Sequence, residues 1–501
     1  MSGLSGLAPA PRTAPAFEPP PVATDARTTD ARIAMRDFVH QARIDCLAAV
    51  PADLQPLLAL TVPAPRVVPE TLLRIASGAM PFLWHPPRGA AVAGSGVAWS
   101  TQAAGAHRIA DVRRAAETLW PRLFVARHPA LRGVARRPPR LYGGFAFAPL
   151  TSSTSADDPW SSFGDAAFSL PRLRYMQGNP SAEHGGDAAT LTLTVGLDVL
   201  DALPDGVERI ADELLELQTA LTRTGQLLTS HAPGRILAVQ ALDPTRWRTQ
   251  VEAVRTVIRA GDVRKIVLAR RSVVELADPP RAGRILARLA DGLVACTRFA
   301  FLRPDATFLG ATPERLIARR GLRVETEALA GSLPLGEEAR LLDSPKDAEE
   351  HALVVEAILE HLRPLCRELD VPDAPGIRRL REVLHLRTPI RGVLRRPVHV
   401  LDLVERLHPT PAVGGVPTAE ALGWIADQEG VERGWYAGPI GWFDGDGDGD
   451  FGVALRSCML AGRRAYVYAG AGLVADSDPA LEYAETALKQ RSILAALGAP
   501  D

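Results

Sequence analysis

Stretches of strand length dominate the second half of the chain. KIVLARRSVVEL (265–276) reads as one strand, and FAFLRP, TFLGATPERLIARR and LRVETEALAG read as consecutive strands with a turn at residues 320 and 321. YAGPIGWFD and FGVALRSCML flank a turn at 444–450, and the strand AYVYAGAGLV follows. In the first half, 80–100 reads as short strands joined by Pro and Gly turns. LYGGFAFAP (141–149), LPRLRYMQG (170–178) and ATLTLTVGL (189–197) are strand-like. Helical spacing covers much of 31–60, interrupted by Pro51 and Pro56, then 110–127 and 206–230. It returns at 246–261, which ends on a glycine cap, and at 344–369, which opens with Ser344, Pro345 and Asp347 in a capping pattern. The last helix starts at Ser477, Asp478 and Pro479 and runs to about Leu497. Residues 151–158 form a surface loop, and 230–244 connects the halves. Antiparallel strands plus helices, without strand–helix–strand alternation, predict an α+β fold.

Composition narrows the function. The chain has 501 residues, of which 47% are apolar and 23% charged, as in ordinary globular proteins. Its 57 basic and 58 acidic residues leave a net charge of −1, so no global field exists to hold a polyanion and no nucleic acid partner is expected. A small acidic substrate held by local charges is compatible. Cys46, Cys296, Cys366 and Cys458 form no paired motif and read as buried thiols in a reducing compartment. No stretch is long and apolar enough for a membrane span, and residues 1–30 read as a disordered Pro/Ala-rich tail rather than a secretory signal. A cytoplasmic enzyme, as a monomer or weak homodimer, is the expected class.

Two apparent motifs lose to plainer readings. Gly470, Gly472 and Ala475 imitate a dinucleotide fingerprint, but the helix signal begins only at Pro479. DGDGDGD (444–450) imitates a calcium loop, but Leu455 stands where a bidentate Glu is required.

Several charged residues fall at apolar positions. On the helix at 344–369, Glu350 shares a stripe with Val354, Ala357, Ile358 and Leu365, with Lys346 and Asp347 beside it; Glu349, Glu356 and Glu360 face the other way. A carboxylate there is costly unless paired or bound to a cation. Glu482 and Glu485 are spaced i, i+3 on the last helix, on one face with Leu481, Leu488 and Ser492. Acids in a first helical turn commonly just complement the helix dipole. Carboxylates from two helices would nevertheless make a hard-oxygen site suited to Mg²⁺. Lys265 enters an apolar strand, where desolvation disfavours an ammonium, and Glu314 sits just after Thr312-Pro313. Taken singly, a strand-edge lysine and a turn acid are the ordinary readings of both.

These segments together resemble the chorismate-utilising enzymes, and among them the isochorismate synthase branch. The resemblance rests on KIVLARR, FLGATPERL, ETEALAGS, SPKDAEEH, LHLRT, LHPTPAVGG, ERGWYAGPIGW, ALRS, YAGAGLV and SDPALEYAET, in order across about residues 240–498, and extends loosely upstream. It implies a single large α+β domain of two antiparallel sheets packed face to face with helices outside. Residues 31–240 would be its variable N-terminal part and 241–501 its chorismate-binding catalytic region. Water-using members carry a lysine at the position of Lys265 and ammonia users usually a glutamine. A further branch carries a nucleophilic lysine where this chain has Ala330. The resemblance implies that Lys265 is the general base for water attack at C2 of chorismate and that Glu314 is the acid for the departing C4 hydroxyl. Mg²⁺ would be held by Glu350 and Glu485, with Glu482 and Asp347 close by. Arg456 and Tyr436 would hold the enolpyruvyl carboxylate, helped by the backbone of a Gly470/Gly472 turn, and His385 and Thr388 would line the ring pocket. Asp347 departs from relatives that carry Glu there. The nearest alternative is salicylate synthase, which adds pyruvate elimination. An anthranilate or aminodeoxychorismate synthase subunit comes next, and a non-catalytic chorismate-binding relative last. The pathway served would be that of menaquinone or of a siderophore.

Overall fold

The computed structural model describes residues 26–75, 78–150, 159–178, 188–225 and 234–499. The expected loop at 151–158 lies outside these, as do residues 1–25 of the tail, 226–230 of the helix expected at 206–230 and 230–233 of the connection. The architecture turns on one strand, Ala166–Gln177, which belongs to both sheets. Along its whole length it pairs with Ala91–Ala103. For other neighbours, residues 166–169 take the strand Arg140–Phe145, and residues 173–177 take Ala189–Gly196. Pro171 lies between these two partners, opposite Val97, where the Ala91–Ala103 ladder shifts register. A residue without an N–H is tolerated at such a gap and not in mid-ladder.

From this shared strand two antiparallel sheets diverge. One continues from Ala91–Ala103 through Phe82–His85, Thr297–Leu302, Ala306–Thr312, Ser457–Ala461 and Arg464–Leu473 to Lys265–Leu276. The other continues from Arg140–Phe145 through Pro439–Asp444, Gly449–Val453, Arg315–Arg320 and Arg323–Pro334 to Val383–Leu394. Because the sheets share a strand, hydrogen bonds join the 21 strands of the described residues into one network. One pairing is parallel, Leu57–Pro63 with Leu123–Arg127. The facing sheets bury an aromatic core: Phe82 stacks on Tyr142 at 4.3 Å, and Phe301 meets Trp435 edge-on at 5.5 Å. Helices lie outside. Ala26–Ala49, Gly206–Gly225, Ala282–Gly292 and Pro479–Leu497 enclose a second core containing Val39, Leu214, Leu286 and Ile493. Both sheets mix strands from the two halves of the chain, which therefore form one domain.

The sequence expectations need four corrections. The N-terminal tail gives way to helix by Ala26 rather than residue 30. The helix expected at 110–127 spans Arg108–Glu117; Pro121 prevents its continuation, and Leu123–Arg127 pairs as a strand instead. The helix expected at 344–369 is Pro345–Leu362, which stops before Pro364, and Cys366–Asp370 then pairs with Val383–Leu394. Residues 470–472 form no turn: they continue the strand Arg464–Leu473, paired with residues 267–269.

A buried ion pair fastens the end of the first sheet. Glu429 accepts hydrogen bonds from Arg433 Nε at 2.6 Å and from the Ala269 N–H at 2.6 Å. Arg433 also donates to the carbonyls of Val413 and Val267, both at 2.8 Å. Removing one partner of such a pair strands a desolvated charge. Glu429→Ala should lower the unfolding free energy by about 3–5 kcal/mol. Equilibrium denaturation measures this, and a loss below about 1 kcal/mol, the scale of an exposed pair, would contradict the clamp.

Candidate active site

The two sheets exchange strands at two crossovers, and each carries a charged residue into the space between them. The chain passes from Ala306–Thr312 in one sheet to Arg315–Arg320 in the other through Pro313 and Glu314. It returns from Gly449–Val453 to Ser457–Ala461 through Arg456. The crossovers bond to each other. Thr312 Oγ1 donates to the Val453 carbonyl at 2.5 Å, the Val453 N–H donates to the Glu314 carbonyl at 3.1 Å, and the Ala311 N–H donates to the Arg456 carbonyl at 3.0 Å. Arg456 takes the left-handed backbone conformation, φ 48°, and Ala437 nearby does so at φ 61°. For side-chain-bearing residues this conformation costs about 1–3 kcal/mol and collects at functional sites.

Between the sheets lies a cleft of about 770 Å³. Its walls include Glu314, Glu350, His385, Tyr436, Arg456, Gly470 and Gly472. Lys265 lies just behind the wall and is fully buried; its Nζ meets Glu350 Oε1 at 2.9 Å without the alignment of a good hydrogen bond. A Cβ on Gly472 would stand 2.4 Å from Glu350 Oε1 and 2.9 Å from Lys265 Cε, so only glycine leaves room for this pair. Thr388 is buried off the cleft wall, its hydroxyl 2.8 Å from His351 Nε2.

Burial sets the protonation of the cleft. It drives the Glu314 carboxyl from 4.5 up to about 8; the charge of Glu327 adds to the rise, and Lys265 and Lys489 oppose it. Glu314 is therefore mostly a protonated acid at neutral pH. Burial also pushes Glu350 up, but the attraction of Lys265 outweighs it and leaves this carboxyl below its ordinary value. His385 is held well below its ordinary value by burial and by Arg456. It is thus neutral, with Nε2 facing an Arg456 N–H at 3.3 Å and Nδ1 lying 3.1 Å from the Gly331 carbonyl. Tyr436 stacks on Tyr468, with ring centres 5.0 Å apart, and burial raises its hydroxyl.

The remaining carboxylates gather at one edge. Asp347 and Glu350 come from the helix Pro345–Leu362, and Glu482 and Glu485 from Pro479–Leu497. Glu350 and Glu485 both raise the Asp347 carboxyl, after burial, and Glu485 helps burial raise Glu482 to about 7. Lysines are interleaved: Lys346 donates to Glu482 at 2.9 Å, and Lys489 pairs with Glu485 at 2.6 Å. Among the described residues no three acidic, His or Cys side chains converge on one point. In chemical type the donors, anionic oxygens from two helices, are those a hard divalent cation takes.

The sequence reading did not single out Lys489, which lines the cleft and donates to the Gly470 carbonyl at 3.0 Å. Its i+4 spacing from Glu485 was the available signal. Leu481, expected on the face of Glu482, is instead exposed, and the buried face runs through Glu482, Thr486 and Gln490. Thr486 accepts from Arg270 at 2.6 Å, and Gln490 from Ser272 at 2.9 Å.

The architecture of two crossed sheets around an acid-lined cleft is that of a known class. Residues 48–498 match the family model described as chorismate binding enzyme, and the chain belongs to that family. It is 40% identical to the salicylate biosynthesis isochorismate synthase of Pseudomonas aeruginosa over 374 residues, 72% of this chain and 76% of that one. It is 35% identical to the isochorismate synthase MenF of Bacillus subtilis over 369 residues, 72% of this chain and 75% of that one. Among solved structures, MenF, the menaquinone-specific isochorismate synthase of Escherichia coli, superposes with a TM-score of 0.69 at 25% identity, over 92% of this chain and 100% of that chain. Anthranilate synthase component I of Streptococcus pneumoniae shares the fold, with a TM-score of 0.57 at 23% identity over 70% of this chain and 80% of that chain.

The raised Glu314 carboxyl has a sign that stability measurements can read. Between 4.5 and about 8 the folded protein keeps a proton that the unfolded chain has lost. Its contribution therefore makes stability fall as pH rises through that window. Glu314→Gln should remove this slope and be more stable than the parent above pH 8, as denaturant titrations at several pH values would show. Parallel stability profiles for the two proteins would contradict a buried, protonated Glu314.

Proposed function

We propose that this chain is an isochorismate synthase that adds water at C2 of chorismate and expels the C4 hydroxyl, with the double bonds shifting between them. The observation that carries the reading is that Glu314 lines the cleft while Lys265 lies buried just behind its wall, each on a different segment. Lys265 opens the strand Lys265–Leu276 of one sheet, and Glu314 lies on the crossover between sheets. In this reading Lys265 acts as the neutral amine, accepts a proton from the attacking water, and as the resulting ammonium is paired with Glu350. Glu314 delivers its proton to the leaving hydroxyl, which its raised pKa permits near neutral pH. Arg456 and Tyr436 take the enolpyruvyl carboxylate, with neutral His385 orienting Arg456. Thr388, expected to line the ring pocket, is held behind the cleft wall by its contact with His351. Gly470 and Gly472 keep the wall clear of side chains.

Mg²⁺ would be held by Glu350 and Glu485, with Asp347 and Glu482 beside them, and when bound it would supply positive charge for the ring carboxylate. We place the enzyme in the cytoplasm, as a monomer or weak homodimer. No described helix is long and apolar enough to cross a membrane, and the four cysteines are free and buried.

Chromatography after incubation with chorismate and Mg²⁺, with and without ammonium, tests the reaction. Isochorismate is expected in both; salicylate would indicate pyruvate elimination, and an aminated product would overturn water as the nucleophile. Lys265→Gln and Glu314→Gln should each slow isochorismate formation by about 10²–10⁴-fold, the usual worth of one acid or base. Parental rates in Lys265→Gln would remove the proposed base. EDTA should abolish turnover and Mg²⁺ restore it, while Glu485→Gln should be inactive with an unchanged unfolding transition. Full activity in EDTA would rule out the metal assignment.

A further inference from the structure

A second pocket, of about 520 Å³, shares no wall residue with the active-site cleft. It lies among the strands Leu57–Pro63, Leu123–Arg127, Ala166–Gln177 and Ala189–Gly196, in the N-terminal half of the chain. Its walls contain Arg127, Arg137 and Arg174, and among the described residues no Asp or Glu. Arg174 is 6% exposed, and its Nε is buried without a hydrogen-bond partner. Its other nitrogens meet neutral acceptors, the Pro138 carbonyl at 3.3 Å and Thr192 Oγ1 at 3.2 Å. Arg127 donates to the Val134 carbonyl at 3.0 Å.

Several other arginines with little exposure have an acid beside them, as Arg433 has Glu429, Arg319 has Asp448 and Arg298 has Glu70, while Arg270 is held by hydroxyls and the Tyr483 ring. Here burial disfavours the guanidinium of Arg174; Tyr142 opposes this and the neighbouring charge of Arg137 adds to it. Arg140, close by and stacked on Trp442, is held down to about 10 by burial, opposed by Tyr142 and reinforced by Arg320, Arg174 and Arg137. A desolvated cation among like charges is expensive unless an anion meets it. The planar fork of a guanidinium matches two oxygens of one group, which selects carboxylate or phosphate over a halide.

We propose that this pocket is a second binding site, for a small oxyanion bearing a carboxylate or phosphate, held by Arg127, Arg137 and Arg174. The site is independent of the reaction assigned to the cleft. It gives the N-terminal half a ligand of its own.

Thermal unfolding of the full chain, with inorganic phosphate or malonate titrated at constant ionic strength against sodium chloride, tests the proposal. A saturable rise in Tm is expected with at least one oxyanion and none with chloride; which oxyanion acts separates phosphate from carboxylate ligands. Arg137→Gln and Arg127→Gln change side chains that are not fully buried, and each should weaken the apparent affinity at least tenfold. Arg456→Gln removes an arginine of the active-site cleft and should leave the rise unchanged. No saturable rise in the parent protein, an equal rise in all variants, or loss of the rise in Arg456→Gln alone would overturn the proposal.

Discussion

The contact between Lys265 and Glu350 ties the structure together. A lysine with no exposed surface has to be matched by charge, and Glu350, on a helix about 85 residues further along, supplies the match. Bringing them to 2.9 Å draws the helix Pro345–Leu362, which packs on the second sheet, across to the strand Lys265–Leu276 of the first. A third strand must then pass close by, and it does so with Gly472, the one residue type that leaves the pair in place. Mutual attraction at such a distance does not by itself offset the desolvation of both ions. The arrangement is better explained by what it presents to the cleft, a nitrogen and a carboxylate fixed beside the same substrate space.

Around that contact the fold is a device for bringing two sheets together and crossing between them. The shared strand Ala166–Gln177 closes one side, with Pro171 where the ladder changes partners. On the other side the chain crosses between sheets at Glu314 and at Arg456, and these crossovers are bonded to each other. An acid and a cation on short linked crossovers have little freedom to move. Polar groups held in place this way and largely buried cost little reorganisation when a reaction begins.

Much of this was legible in the chain. The strand at 265–276 and the last helix were readable to within a residue or two, because a β-branched run and an Asp-Pro cap are local signals. Helix ends were misread wherever a proline followed an apolar stretch, as at Pro121 and Pro364, because periodicity was allowed to override the missing N–H. The buried face of the last helix was misread for a different reason. It is polar, with Thr486 and Gln490 satisfied by Arg270 and Ser272 on the sheet, and no count of apolar residues finds such a face. Glu350 announced itself as a charge in an apolar stripe. Lys489 did not, since its role depends on Gly470, which only the fold brings near. The pairing of Lys265 with Glu350 is likewise a product of topology, as no local rule relates residues that far apart.

In the proposed reaction solvent water becomes the new hydroxyl of the product, deprotonated on one side of the ring while Glu314 protonates the leaving group. Turnover of chorismate in water enriched in ¹⁸O, followed by mass spectrometry of the isochorismate, tests this directly. One ¹⁸O atom per product molecule, carried on C2, is the predicted result. Product that retains its original oxygen and gains no label would show that the hydroxyl migrates within the substrate, and would contradict the assignment of Lys265 as a base acting on water.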